Sequence, residues 1–387
     1  TISGGEMRYN VDPRQQAVRD RVKEFAEKEI NPVFKDLDRA PEKLPVEYYR
    51  KLGKAGLIGF AMPKEYGGEG RSNIEYITLI EELAYWDPAT ALLAAVPELA
   101  VYPIIHFASD EQKKKYLPAA ASGEKIPAFA LTERMAGSDA ANQQTIAKIV
   151  GNEFVINGEK IFIMHGDACD FAVLFCRIGD EDEGRPKVSA IIIDADRPGF
   201  KGFTLKHKMG MRAATTGRIE LKDYKIPVSH QLGEVGKGFR YAMATLDGAR
   251  IGVAAQGVGI AQRALDEAVS YAKSRIAFGA PIAKLQAIQW MIADMATHLE
   301  AARALTYKAA QMQDKGEKFT VEASQAKLFA SEAARFCIDR AMQIHGGYGY
   351  IGEFSIIEKL YRDQRVLEIY EGTSEVQRLV IAGNYLR

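Results

Sequence analysis

The chain has 387 residues, which is more than one hydrophobic core ordinarily supports and enough for two or three domains. Its 51 basic and 51 acidic side chains balance, which argues against a nucleic-acid-binding protein, because such proteins usually carry a basic excess. The cysteines, Cys169, Cys176 and Cys337, share no metal-ligand spacing and predict reduced thiols rather than disulfides.

The first residues, TISGGEMRYN, resemble neither a signal peptide nor a transit peptide. The apolar runs of the sequence fall short of the roughly 20 residues that a membrane-spanning helix needs. We therefore expect a soluble protein of the cytoplasm or the mitochondrial matrix, without a membrane partner.

The first third of the sequence predicts helices. Asp12 and Pro13 form a helix-start signal, because aspartate caps free backbone N–H groups and proline suits the first helical position. The apolar residues that follow recur at helical spacing as far as Ile30. Further helices are predicted at about 45–55, 73–85 and 110–120, and the Gly-rich segment 66–70 is a predicted loop. We assign residues 1–125 to an N-terminal helical domain.

Strand-like patterns dominate the middle third. Apolar residues on both sides of Asn157 and Gly158 predict a hairpin, because Asn-Gly accepts the positive φ angles of a type I′ turn. Further strands are predicted at 171–178, 188–194 and 219–224, with a charged loop between the first two. We assign residues 126–235 to a β domain of barrel-like or sandwich form.

Helical periodicity returns after Gly238. Apolar residues recur every three or four positions in three long stretches, which predicts amphipathic helices. These stretches are 251–272, 288–302 and 321–344. Long helices with short connections favour a bundle, so we assign residues 236–387 to a C-terminal helical bundle. The predicted fold class is α+β, in the order helical, β and helical.

The segment Ala130–Asp139, with the sequence ALTERMAGSD, stands at the entrance to the β domain. Thr132 and Ser138 offer hydroxyl donors, and Gly137 permits backbone angles that other residues disfavour. Such a loop can hold a phosphate or the edge of a flavin ring. The same composition is also typical of an ordinary surface loop.

This segment resembles the LTEPGAGSD signature of the acyl-CoA dehydrogenase family. The resemblance continues through KIFIMHG at 160–166, MGMR at 209–212, LDGAR at 246–250, RIAFG at 275–279, QIHGG at 343–347 and IYEGT at 369–373. It implies an N-terminal helical domain, a central β domain and a C-terminal four-helix bundle, in agreement with the patterns above. It also implies FAD-dependent α,β-dehydrogenation of an acyl-CoA to the trans-2-enoyl-CoA, with electrons passed to electron-transfer flavoprotein.

The resemblance assigns cofactor contacts as well. Those along the flavin and its phosphates are Phe129, Leu131, Thr132, Gly137, Ser138, Phe162 and Met164. Those that reach the FAD of a neighbouring subunit, or its phosphate side, are Arg275, Phe278, Gln343, Gly346, Gly347 and Thr373. Contacts across a subunit boundary imply a homodimer or a homotetramer built as a dimer of dimers.

Glu371 is the implied catalytic base, which removes the proton from the carbon next to the thioester while flavin N5 accepts the β-hydride. The family also uses a second base position, but here that position is Ala249, which cannot accept a proton. Burial beside substrate and flavin is expected to raise the pKa of the glutamate. The implied substrate contacts are Ser138, Asp247, Arg250, Tyr370 and Gly372, with Asp247 and Arg250 holding the CoA moiety.

Three substitutions depart from the family pattern. Phe162-Ile163-Met164 replaces the usual Trp-Ile-Thr and loses a hydroxyl near the flavin, because methionine cannot donate that hydrogen bond. Arg134-Met135 replaces Pro-Gly. Glu98 stands in a stretch that approaches the acyl pocket, where it could bind or reject a polar acyl group or assist proton transfer. The alternative is a glutamate that faces solvent or pairs with a base, because an unpaired buried carboxylate is costly.

The sequence leaves the acyl group and the direction of the reaction open. An enoyl-CoA reductase or an acyl-CoA oxidase would use the same base and cofactor, and a non-catalytic assembly partner is a further alternative. The segment Asp87–Leu92 offers no arginine for a distal carboxylate, which argues against a dicarboxylic substrate. The histidines lack metal-ligand spacing, and no dinucleotide-binding unit is recognisable, so we expect neither a metal nor NAD.

Overall fold

A computed structural model describes residues 12–39, 43–179 and 187–386. The first ten residues and most of the charged loop predicted between the strands at 171–178 and 188–194 lie outside these ranges. Within them the order of elements is helical, β and helical, and the predicted fold class is confirmed.

Six α-helices precede the sheet in the described part of the chain. The first starts as predicted, because the Asp12 side chain accepts a hydrogen bond from the Arg14 N–H and Pro13 occupies the first turn. This helix continues as a π-helical turn over Ala26–Ile30. The six are α1 Pro13–Phe25, α2 Phe34–Asp38, α3 Val46–Lys54, α4 Asn73–Trp86, α5 Pro88–Phe107 and α6 Asp110–Ala121.

Helix α5 was not indicated by the sequence pattern. It contains Pro97 and Pro103, and proline usually ends a helix because it lacks an N–H and clashes with the preceding turn. Most of its residues are apolar and buried, so it has no amphipathic period to detect. By length and composition α5 is the one helix of the described residues that could cross a membrane, and most of it is covered by the rest of the protein.

One sheet of eight strands forms the middle of the chain, in the order β6-β7-β3-β2-β4-β5-β8, with β1 paired to β4. Strand β4 is parallel to β1 and β2, whereas the other pairings are antiparallel. The strands are β1 Pro127–Ala130, β2 Ile146–Val150, β3 Glu153–Met164, β4 Phe171–Ile178, β5 Val188–Asp194, β6 Phe200–Thr204, β7 Thr216–Pro227 and β8 Gln231–Leu232.

The hairpin predicted at Asn157 and Gly158 is wrong. Both residues lie inside the continuous strand β3, whose register against β7 shifts between Ile156 and Gly158. The Asn157 side chain accepts a 2.8 Å hydrogen bond from the N–H of Asp223 on β7. The β-bulge therefore lies on the partner strand, where Lys222 and Asp223 of β7 stand opposite the single Asn157 of β3.

A two-residue hairpin turn does occur just before β3, and it is formed by Gly151 and Asn152. It joins β2 to β3, and Val150 pairs with Glu153 across it. Gly151 has a φ angle of 64°, which glycine adopts more easily than other residues.

The C-terminal bundle is built from α7 Gly238–Ser274, α8 Gln286–Asp314, α9 Thr320–His345 and α12 Ser374–Tyr385. Alanine and glycine let the axes approach closely, since a Cβ atom on Gly257 would lie 2.7 Å from the Ala330 carbonyl oxygen. Thr373 caps α12 by accepting a hydrogen bond from the Val376 N–H. The remaining elements are β9 Ile276–Ala277, β10 Ala280–Pro281, α10 Gly347–Tyr350 and α11 Ile357–Gln364.

A buried ion cluster joins the three parts of the chain. Lys359 on α11 lies 2.6 Å from an Asp87 carboxylate oxygen at the start of α5 and 2.5 Å from Asp363. Asp363 also accepts a hydrogen bond from the Met211 N–H, in the loop before β7. Each buried charge therefore has a direct partner of opposite sign, as buried ions require.

Candidate active site

A cavity of about 500 Å³ lies between helices α4, α5 and α7 and the loop before α12. Its volume falls in the range of ordinary small-molecule sites. Its wall is mostly apolar, but it includes side chains that can exchange protons or form hydrogen bonds. Among them are Tyr76, Glu98, Gln256, Tyr370 and Glu371.

Glu371 lies in a turn with unusual backbone angles. Its φ is 53° and that of Gly372 is 88°. Few residues other than glycine adopt positive φ, so neighbouring contacts must hold this turn. Gln377 donates hydrogen bonds to the carbonyls of Glu371, at 3.1 Å, and Gly372, at 2.8 Å, and Lys327 donates to the Gly372 carbonyl at 2.7 Å.

The Glu371 carboxyl group is buried without a direct partner. Its Oε2 atom has no hydrogen-bond partner among the described residues. Burial raises the pKa of Glu371 to about 7, and the positive charges of Arg250 and Lys327 oppose that rise. A carboxyl group with such a pKa can take up or release a proton near neutral pH.

Two cations flank this carboxyl group but are bonded elsewhere. Lys327 is fully buried on α9, and burial lowers its pKa to about 8 although Glu371 opposes the shift. Arg250 lies 2.6 Å from Asp247, which in turn accepts a hydrogen bond from Thr320. Both cations therefore stabilise the ionised form of Glu371 through space.

Tyr370 is a fixed part of the cavity wall. Its hydroxyl donates a hydrogen bond to the Gln256 side chain on α7, and burial raises its pKa well above the usual value. Gly248 and Ala249 also line the cavity, whereas Asp247 and Arg250 on either side do not. Ala249 thus reaches the cavity at the second base position and brings no titratable group.

Glu98 projects from the middle of α5 onto the same cavity. Its Oε1 atom accepts a 3.0 Å hydrogen bond from the Ala61 N–H. Burial raises the pKa of Glu98 to about 7, while backbone N–H groups of Ala61, Met62 and Phe60 oppose the rise. Glu98 is half-buried, and no base of the described residues lies within ion-pair distance of it, so the expectation that it pairs with a base is wrong.

The proposed flavin-binding residues of the β domain differ in their exposure to solvent. Leu131 is buried, Phe129 and Thr132 are half-buried, and Ser138 is exposed. Phe162 has a positive φ of 58° and leaves 64% of its surface exposed, an unusual state for an aromatic residue. Met164, two residues further on, lines the cavity that contains Glu371.

Gly137 does not use the unusual backbone angles that glycine permits, because its φ is not positive. A Cβ atom at this position would instead meet open space. The start of the loop is held by the fully buried Lys160, which donates to the Leu131 carbonyl at 3.1 Å and to Glu133 at 2.7 Å. Arg134 pairs with Glu159 at 2.6 Å.

A second groove, of about 510 Å³, gathers residues assigned to the neighbouring subunit's cofactor. Those that line it are Arg275, Gln343, Gly346 and Gly347. Phe278 does not line it and leaves 95% of its surface exposed. Thr373 lines neither cavity, and its hydroxyl caps α12.

Two residues of the site were not predicted from the sequence. Lys327 and Gln377 together hold the carbonyls of the Glu371 turn. The sequence did give one indication of Lys327, which lies between Ala326 and Ala330 in the apolar stripe of α9. Lysine is almost never fully buried unless it has a partner, so a lysine in such a stripe predicts a specific contact. No comparable signal marked Gln377. In the described residues no group of three or more His, Cys, Asp or Glu side chains could hold a metal ion.

Comparisons with known proteins agree along the whole chain. Sequence profiles for the acyl-CoA dehydrogenase N-terminal, middle and C-terminal domains match residues 12–124, 128–224 and 236–386. A short-chain specific acyl-CoA dehydrogenase of Clostridium acetobutylicum is 43% identical over 98% of this chain and 100% of its own length. The subunit CarC of the caffeyl-CoA reductase-Etf complex of Acetobacterium woodii is 43% identical over 97% of this chain and 98% of its own.

The fold also matches solved structures. The butyryl-CoA dehydrogenase of Megasphaera elsdenii superposes with a TM-score of 0.93 and 40% sequence identity, covering 98% of this chain and 100% of that one. The matched family consists of flavin-dependent oxidoreductases, so this chain is an enzyme of that class.

Proposed function

Because the chain belongs to the acyl-CoA dehydrogenase family, we propose that it converts an acyl-CoA thioester to the trans-2-enoyl-CoA, with Glu371 as the base. The observation that carries the proposal is the buried Glu371 carboxyl group, which has an unpaired Oε2 atom and a pKa of about 7 in a cavity of about 500 Å³. A general base works best when its pKa lies near the working pH.

The turn that carries Glu371 provides a second function. Its backbone N–H donates to no described residue. A free N–H next to the base can donate to the thioester carbonyl, where negative charge develops as the α-proton leaves. Gln377 and Lys327 fix both carbonyls of the turn, so this donor is held in place before the substrate binds.

The residues around the cavity fit FAD as the cofactor. The exposed Phe162 ring offers a surface for a flat ring system, and the open space at Gly137 leaves room for a phosphate or ribityl chain. Thr132 and Ser138 supply hydroxyl donors, and Met164, two residues after Phe162, lines the cavity of Glu371. When bound, FAD supplies the acceptor for the hydride that leaves the β-carbon.

The second groove supports a subunit partner. Arg275, Gln343, Gly346 and Gly347 share it, and we assign them to the FAD of a neighbouring copy in a homotetramer built as a dimer of dimers. An arginine suits the pyrophosphate because its guanidinium group can donate two parallel hydrogen bonds. Electron-transfer flavoprotein is the proposed electron acceptor, because one relative is named as a subunit of a complex with Etf. We place the enzyme in the cytoplasm or the mitochondrial matrix.

Reduction of an enoyl-CoA is the second candidate function. The relative from Acetobacterium woodii is named as part of a caffeyl-CoA reductase. With a pKa of about 7, Glu371 is present both as acid and as base near neutrality. The same group could therefore deliver the α-proton in the reverse direction.

Substitution of the base tests the proposal. We expect the FAD-loaded Glu371→Gln variant to bleach its flavin with acyl-CoA about 100- to 10,000-fold more slowly than wild type, since glutamine cannot accept the proton. Glu375→Gln, the same change on an exposed residue four positions away, should bleach normally. Bleaching by Glu371→Gln at the wild-type rate would remove Glu371 from the mechanism.

Anaerobic reaction of the wild type with matched saturated and unsaturated thioesters, followed by admission of air, separates the alternatives. A dehydrogenase is reduced by the saturated thioester, and a reductase in its reduced form is reoxidised by the unsaturated one. An oxidase is recognised by rapid reoxidation in air.

A further inference from the structure

Three carboxyl groups line the cavity, and two of them, Glu371 and Glu98, are at least half-buried, whereas Glu317 is exposed. Glu371 belongs to the turn before α12, and Glu98 belongs to α5. The proposed dehydrogenation needs one base, which is Glu371, so the mechanism does not use the Glu98 carboxyl group. The part of the cavity wall that α5 supplies includes the apolar Leu92, Val96 and Leu99 and, after Glu98, the polar Tyr102 and His106.

The Glu98 carboxyl group is held by the protein but not neutralised by it. The Ala61 N–H donates to Oε1 at 3.0 Å, and the loop that supplies it is itself part of the cavity wall. Arg71, the cation that lines the cavity, pairs with Glu69 and Glu75, each at 3.1 Å. Among the described residues Glu98 has no ion-pair partner within 4.0 Å.

The charge of Glu98 affects the pKa of a neighbouring tyrosine. Its negative charge adds to burial in raising the pKa of Tyr76, which lies on the facing helix α4 and lines the same cavity. The pKa of Glu98 itself is raised to about 7 by burial. An acyl chain that fills this end of the cavity would exclude solvent from a carboxyl group whose other hydrogen bonds come from the backbone N–H groups of Phe60, Ala61 and Met62.

We propose that Glu98 forms a polar end of the acyl pocket, which selects acyl groups that carry a hydroxyl or phenolic hydroxyl group at the end distant from the thioester. The proposal rests on the function proposed above, because it assumes that the cavity binds an acyl-CoA. The hydroxyl donates a hydrogen bond to Glu98 and so replaces the water that the acyl group displaces.

The requirement for a hydrogen bond to Glu98 also determines which acyl groups the pocket excludes. A wholly apolar acyl tail leaves Glu98 buried without that hydrogen bond, and sites built around a hydrogen bond discriminate strongly against analogues that lack it. A terminal carboxylate would face the Glu98 carboxylate and be repelled. Glu98 thereby gives a physical reason, independent of the missing arginine, for excluding dicarboxylic substrates.

Matched pairs of thioesters test this selection on the FAD-loaded enzyme. The pairs are butyryl-CoA with 4-hydroxybutyryl-CoA, and 3-phenylpropionyl-CoA with 3-(4-hydroxyphenyl)propionyl-CoA. For at least one pair, we expect wild-type kcat/KM to favour the hydroxylated member by about 10- to 100-fold. Glu98→Leu should abolish or reverse this preference, and Glu98→Gln, which keeps the shape and one acceptor oxygen, should retain part of it.

Glu65→Gln is the matched control, because Glu65 is exposed on the neighbouring loop and lines neither cavity. If Glu98→Leu fails to fold, the isosteric Glu98→Gln carries the test. Equal kcat/KM values within both pairs, or a preference that neither Glu98 variant changes, would overturn the proposal.

Calorimetric binding of the same pairs to Glu371→Gln, with and without Glu98→Gln, measures the preference without turnover. Failure of every thioester to bleach the wild type would count against the proposed dehydrogenation, while the binding ratios would still support or overturn the role of Glu98. Bleaching by both members of each pair without a preference would overturn the role of Glu98 alone.

Discussion

The cluster around Lys359 and the site around Glu371 differ in whether their buried charged groups have direct partners of opposite charge. At Lys359 each charge meets a partner directly, at 2.6 Å for Asp87 and 2.5 Å for Asp363. At Glu371 the nearby cations are bonded to other groups, and Oε2 has no partner among the described residues. The first cluster joins three parts of the chain, whereas the second opens onto a cavity.

The pKa shifts follow this difference. Burial alone lowers the pKa of Lys359, but Asp363 and Asp87 outweigh it and raise the pKa above the usual value, so the lysine keeps its charge, while burial raises the pKa of Asp363. For Glu371 burial prevails over Arg250 and Lys327, and the pKa rises to about 7. Removal of one partner from a directly paired buried cluster leaves an uncompensated charge and destabilises the fold, whereas an unpaired carboxyl group remains free to exchange a proton.

Removal of the cation at Lys359 should produce the largest change in stability. We expect Lys359→Met to lower the free energy of unfolding by about 3–5 kcal/mol, because two buried carboxylates lose their counter-charge. Urea unfolding at neutral pH measures the loss. Lys273→Met, on an exposed position of α7, is the control and should change stability by less than about 0.5 kcal/mol. A loss at Lys359 no greater than that of the control would contradict the comparison.

Lys327 provides a smaller and more specific test. Because its charge favours ionised Glu371, Lys327→Met should raise the pKa of Glu371 and shift the pH profile of flavin bleaching upward. At pH 7 we expect the rate to fall by about 3- to 10-fold. Lys327→Arg retains the charge and should keep the profile near that of wild type. A loss of rate in Lys327→Met with no shift of the profile would mean that the lysine only supports the turn through the Gly372 carbonyl.

The order of the three domains could be predicted from the sequence because amphipathic periods mark the helices and apolar runs mark the strands. Two local predictions failed or were missing for physical reasons. Asn157 and Gly158 suit a tight turn, but they stay within a strand because β3 continues to pair with β7, which takes up the register shift at Lys222 and Asp223. Helix α5 contains two prolines and lacks a polar face, so no sequence pattern marks it and its helical form depends on packing.

The candidate site was predictable only in part. Glu371 and Glu98 were recognisable from motif positions, but their shared cavity depends on how the turn before α12 packs against α5 and α7. Lys327 and Gln377 act on backbone carbonyls, and no spacing in the sequence connects them to Glu371. The elevated pKa of Glu371 likewise results from burial, which arises only in the folded chain.

The pH dependence of flavin reduction by a saturated acyl-CoA tests the central claim most directly. Glu371 acts as a base only when ionised, so the first-order rate at saturating substrate should rise with pH and level off above an inflection near 7. The residual rate of Glu371→Gln should lack this inflection. A wild-type inflection near 4.5, the ordinary value for glutamate, or an inflection near 7 that persists in Glu371→Gln would contradict the account.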